Sequence, residues 1–207
     1  LVSVYPLANS YAYYPMYDEW MGTALDWIKK TWKGQGNPRV GILTWDTGYG
    51  RAVLTEKGLG YFKKAGVDMA GKPLVFGIRD VEVTTQLMQL RAEKADYIYT
   101  NTTAGGPLAI RKGCLEMGWD VPLIASGLDF GTLKLNPPVF EGQYIPRPWI
   151  SWHEEDNPAV QFLMKHMQKN NRTEKDKSAF YFVGWMNAAA QHRAMLQVVQ
   201  KHGWEGM

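Results

Sequence analysis

Apolar residues recur at helical spacing between Tyr17 and Trp32. Trp20, Met21, Ala24, Leu25, Ile28 and Trp32 form one stripe, and Gly34–Pro38 ends the run. Val40–Leu43 is then an unbroken apolar stretch, the mark of a strand buried on both faces. It leads into Thr44–Gly50, a glycine-bearing turn. The helix that follows turns Leu54, Gly58, Tyr61, Phe62 and Ala65 inward and stops at Gly66. Leu74–Phe76 predicts the next strand. Thr84–Ala92 predicts a helix with Leu87, Met88 and Leu90 apolar, and Tyr97–Tyr99 a further strand. Thr100–Gly106 reads as a polar turn, and the helix after it runs to about Met117 and closes at Gly118. Leu123–Ala125 and Gly142–Ile145 complete the strands.

Strands separated by single helices predict βαβ units and a parallel sheet, with right-handed crossovers placing helices on both faces. The expected fold class is therefore α/β, a doubly wound parallel sheet. In such sheets ligands sit beyond the carboxyl ends of the strands. That rule selects the loops Trp45–Gly50, Thr100–Gly106 and Ser126–Asp129. The candidate ligand-binding residues are Trp45, Tyr49, Asn101, Thr102, Thr103, Ser126 and Asp129. Tyr49 stands between two glycines at a strand end, where a tight turn accounts for the glycines but not for the ring. Hydroxyls followed by Gly105 and Gly106 at a helix start suit a carboxylate, and ordinary N-capping would use one of them. Beyond Pro146-Arg147-Pro148-Trp149 the character changes. Asn157-Pro158 opens a helix with Val160, Leu163, Met164 and Met167 on one stripe, and Lys169–Lys177 is a solvated loop. Ser178–His202 is a long helix whose small centre, Ala188–Ala190, is expected to pack against a sheet.

Composition narrows the function by exclusion. The chain has 207 residues, 45% hydrophobic and 21% charged, with a net charge of +3. That charge, spread without a basic cluster, argues against nucleic acid as a partner. No apolar run approaches the roughly 18 residues of a membrane span. The chain has nine Trp and eleven Tyr, of which five and six crowd into Tyr5–Trp32 and Tyr144–Trp152, to pack between layers or to line a cleft. The single cysteine, Cys114, falls at helical spacing with Ile110 and Met117 and is expected to be a buried thiol. His153, His166, His192 and His202 have no metal-ligand spacing, and no cofactor is expected. Asp46-Thr47-Gly48 matches the aspartic-protease tripeptide, but that chemistry needs a second carboxylate of the same kind. Ser126 lacks a nucleophile elbow. No catalytic set appears, and the chain is expected not to be an enzyme.

The order of these segments resembles the branched-chain amino acid (Leu/Ile/Val-type) substrate-binding proteins of ABC transporters. The likeness is carried by Arg39–Arg51, Tyr61–Gly66, Gln86–Ile98, Ala109–Gly118, Phe140-Glu141-Gly142, Ala159…Phe162 and Phe182…Ala189. It implies the type I periplasmic binding protein fold, one ligand-binding lobe plus part of a second. On that reading 1–15 is an interlobe crossing, 16–145 the second lobe, 146–152 the return crossing and 153–207 part of the first lobe. The opening Leu1–Pro6 carries no initiator Met, no basic stretch and no cleavage site, so it offers no signal peptide to read. Most of one lobe is expected before Leu1 and a shorter piece after Met207. The resemblance implies a monomer in the periplasm or anchored at the cell surface. It would hold an amino acid-like, carboxylate or amide solute by hinge closure and deliver it to the permease of an importer. A sensor or regulator of the same fold is the alternative. Tyr49 matches an aromatic that contacts ligand in that family, and Thr102 and Thr103 lie near another contact. The family's amino-acid binders carry an acid around Gly127. Glycine here, with Asp129 two residues on, implies a ligand without a buried ammonium partner.

Overall fold

The computed structural model describes residues 15–103, 105–127, 137–147 and 150–206. They fall into two compact units, residues 15–147 and residues 150–206.

The first unit is built on a parallel sheet. Its strands are β1 (Arg39–Trp45), β2 (Asp68–Met69), β3 (Leu74–Phe76), β4 (Tyr97–Thr103) and β5 (Leu123–Gly127). β2 and β3 share one edge of β1, at its beginning and its end, while β4 and then β5 lie on the other. The chain winds outward from β1 to β3, then crosses back to β4. A topological switch point therefore opens between the carboxyl ends of β1 and β4, where an open α/β sheet offers a crevice.

The helices are α1 (Tyr17–Thr31), α2 (Gly48–Arg51), α3 (Glu56–Ala65), α4 (Thr84–Ala92), α5 (Gly105–Glu116) and α6 (Pro137–Phe140). Strand alternation sorts the core into two layers. Met21, Leu25 and Ile28 of α1 and Phe62 of α3 cover Val40, Ile42, Tyr99 and Ile124. Leu87 and Leu90 of α4, with Ile110 and Cys114 of α5, cover Leu43, Ile98, Leu123 and Ala125 on the other face. Gly41 lets α4 approach, since a Cβ there would lie 2.7 Å from a Leu90 methyl. Helix ends follow sequence signals: Thr55 accepts from the Gly58 amide, and Gly66 ends α3 in the left-handed region at φ 67°.

Several expectations are corrected. Thr100–Thr103 is the end of β4 rather than a turn, because β5 pairs with it through Thr103, across a register shift. The helix after β1 is two pieces: α2 and α3 are separated where Thr55 starts a new cap. Gly142–Ile145 contributes a single parallel bridge, Ile124 to Tyr144. Met88 points outward at 60% exposure, leaving Leu87 and Leu90 as the buried face of α4.

The second unit pairs α7 (Pro158–Lys169) with α8 (Ala179–His202). Asn157 and Ser178 cap them. Val160, Leu163, Met167 and Phe182 close around Trp152, whose Nε1 donates to the Ser178 carbonyl at 3.1 Å. Ala188–Ala190 is exposed, and among the described residues no sheet covers it.

Candidate functional site

The ends of β1, β4 and β5 come together as the parallel register requires. On the α1 face a short polar network ties them. Thr44 Oγ1 donates to the Asn101 carbonyl at 3.0 Å and lies 3.2 Å from the Gly50 carbonyl. Asn101 Nδ2 donates to the Tyr49 carbonyl at 2.6 Å, and its Oδ1 accepts from Ser126 Oγ at 2.7 Å. Thr44 and Asn101 are fully buried and Ser126 nearly so. Thr47 Oγ1 accepts from the Gly50 amide at 3.1 Å, so the turn after β1 is capped from within. Gly50 packs against the Trp45 backbone and leaves no room for a Cβ. This network holds Tyr49 from below.

Tyr49 itself is half-buried. Its ring meets Tyr17 edge-on with centroids 4.8 Å apart and lies 6.4 Å from Trp45. Tyr17 also stands edge-on to Trp20 at 5.6 Å. Sequence reasoning missed Tyr17 and Thr44 as site residues. The crowding of aromatics before Trp32 was the signal for Tyr17. Nothing in the sequence marks Thr44.

On the opposite face Thr100 and Thr102 are buried, and their hydroxyls bond to each other at 2.9 Å. Trp45 is a core residue at 7% exposure, with Nε1 lacking a hydrogen-bond partner among the described residues. Thr103 is half-buried at the strand end. The structure thus brings Trp45, Tyr49, Asn101, Thr102, Thr103 and Ser126 to one end of the sheet. It gives the polar side chains of Asn101, Thr102 and Ser126 internal partners. Asp129 lies outside the described residues.

The electrostatics are mild. Asp46 accepts from Arg51 Nε at 2.6 Å, and that guanidinium holds the exposed carboxyl below its usual range. Burial pushes the Tyr99 phenol well above its usual range. Its hydroxyl has no partner among the described residues; Ser126 stands close enough to oppose the shift, but its oxygen is bonded to Asn101. At the start of α1, Lys57 Nζ binds Glu19 at 2.9 Å and Asp18 at 3.5 Å, tying α3 to α1. Among the described residues no group of three acidic, His or Cys side chains could hold a metal, and no helix is long and apolar enough to cross a membrane.

A family profile described as periplasmic binding protein matches residues 6–203. The chain belongs to the periplasmic binding protein family. A search of curated protein sequences finds no match. Solved structures agree on the type I fold. A branched-chain amino acid ABC transporter protein from Thermus thermophilus with bound valine superposes at TM-score 0.71 and 18% identity, covering 90% of this chain and 48% of that one. An ABC transporter substrate-binding protein from Aeropyrum pernix gives 0.73 and 17%, covering 93% and 52%. A solute-binding protein from R. palustris in complex with benzoate gives 0.59 and 20%, covering 74% and 41%. The chain spans about half the length of these structures.

Proposed function

We propose that this chain is one ligand-binding lobe, with part of another, of an extracytoplasmic solute-binding protein of an ABC importer. It captures a small amino acid-like, carboxylate or amide solute by hinge closure. The observation that carries this reading is Tyr49, held by buried hydrogen bonds at the topological switch point of a sheet whose family binds solutes. Residues 16–145 form the second lobe, 1–15 and 146–152 the crossings, and 153–207 part of the first lobe. The separation of the described residues at 147 supports this division. Closure follows if the solute makes better contacts in the closed form than in the open one. The permease of the importer then reads the closed shape. A monomer, periplasmic or anchored at the cell surface, suits that role. Tyr49 and Thr103, half-buried at the strand ends, touch the solute, while Asn101 and Ser126 hold the turn beneath.

Thermal unfolding of the complete natural chain against amino acids, aromatic acids, amides and ureas tests the proposal. A solute at about 100 times its Kd adds roughly 2.7 kcal/mol, which raises the midpoint by several degrees. A flat response across the panel would move the assignment to a regulator of the same fold.

A further inference from the structure

Tyr49 is the second residue of the short helix α2, between Gly48 and Gly50. Neither neighbour carries a side chain that could confine its ring. The 2.6 Å bond from Asn101 Nδ2 to the Tyr49 carbonyl fixes where the side chain begins. It leaves the two side-chain torsions free to choose among their wells. The orientation of the ring is therefore set by tertiary contacts. Trp45 is one, tilted at 55° with centroids 6.4 Å apart. Tyr17 is nearer, 4.8 Å away at 77°, the edge-to-face arrangement that aromatic pairs prefer.

Tyr17 opens α1, and first helical residues ordinarily fray. Here the start is tied down. Glu19 Oε2 accepts from the Met16 amide at 2.9 Å, and its Oε1 accepts from Lys57 Nζ at 2.9 Å. Lys57 Nζ also lies 3.5 Å from Asp18 Oδ2. Trp20, one turn on, meets the Tyr17 ring edge-on. Lys57 belongs to α3, which follows the Tyr49 turn. The start of α1 is thus joined to that part of the chain twice, ring to ring and through the lysine.

We propose that Tyr17 is a positioning residue of the solute site, holding the Tyr49 ring in the orientation that presents it to the solute. The assignment rests on the solute-binding reading and adds the start of α1 to its machinery. A ring already held by Tyr17 meets the solute without first losing torsional freedom, which strengthens binding.

Calorimetric titration of the complete natural chain with valine, benzoate and benzamide is the test. Tyr17→Leu should weaken a probe that binds by about two- to tenfold, the span of one aromatic pair. Tyr17→Phe keeps that pair and should stay within about twofold of the natural residue. In a Tyr49→Leu background Tyr17→Leu should add nothing, because the ring it positions is gone. A merely structural role would lower affinity equally in both backgrounds. Lys57→Met loosens the start of α1 from a half-exposed position and should weaken the same probe, again only while Tyr49 is present. That variant carries the test if Tyr17→Leu does not fold. The positioning role is overturned if Tyr17→Leu binds as the natural chain does, or if its effect adds to that of Tyr49→Leu; solute binding then stands. Should none of the three probes bind the natural chain, both fall.

Discussion

Arg111 shows how a charged side chain is accommodated inside α5. Its guanidinium donates to the Val139 carbonyl at 3.1 Å, the Val121 carbonyl at 3.3 Å and Asp120 Oδ1 at 2.9 Å. Arg111 is 5% exposed while Asp120 is 91% exposed. Arg111→Met should therefore cost about 2–4 kcal/mol in urea unfolding, because two carbonyls lose their donors in the interior. Asp120→Ala should cost under about 1 kcal/mol, since its carboxylate is already solvated. Cys114 is the second case. Burial pushes its thiol up to about 11. The folded chain should react with a disulfide reagent at pH 8 far more slowly than the same chain in guanidinium. The folded-state value lies above the unfolded one, so the thiol adds stability at low pH. That contribution declines as pH rises from about 9 toward 11, because the unfolded chain releases its proton first. Urea midpoints across that range check the sign, with Cys114→Ala flattening this part of the slope.

At the scale of elements, the turn carrying Tyr49 depends on a neighbouring strand. Thr44, Asn101 and Ser126 belong to three different strands, and their hydrogen bonds are long-range in sequence. Asn101→Leu removes the donor to the Tyr49 carbonyl and leaves the Ser126 hydroxyl without its acceptor. Trypsin should then cut after Arg51 faster than global unfolding explains, a comparison made by following cleavage and circular dichroism together. Helix ends at Gly66, Asn157 and Ser178 were legible in sequence because caps are local and these residue types favour them, whereas the cap at Thr55 was read through as continuous helix. The end of β4 was not legible. Four polar residues read as a turn, yet Thr100–Thr103 continues as a strand because β5 supplies its ladder and the side chains find buried partners. Polar residues in a buried strand look like a loop until their partners are known.

At the scale of the whole molecule, the two units have separate cores: two layers around the sheet in the first, and a cluster around Trp152 in the second. Calorimetry should resolve two transitions. Removing residues 150–206 should leave the transition of the sheet unit within a few degrees of its position, because its buried clusters contain no residue from that segment. A single transition lost on that deletion would show that the units depend on each other.

The sequence by itself determined the class of fold, the order of strands and helices, and which strand ends carry the candidate ligand residues. These follow from hydrophobic periodicity, caps and turns, which act over a few residues. Tertiary structure alone decided that Asn101 and Ser126 hold the Tyr49 turn, that Tyr17 stands against Tyr49, and that Trp45 packs against Gly106. Those relations join residues far apart in the chain. They exist only once parallel pairing fixes which strand ends are neighbours and which face each side chain takes.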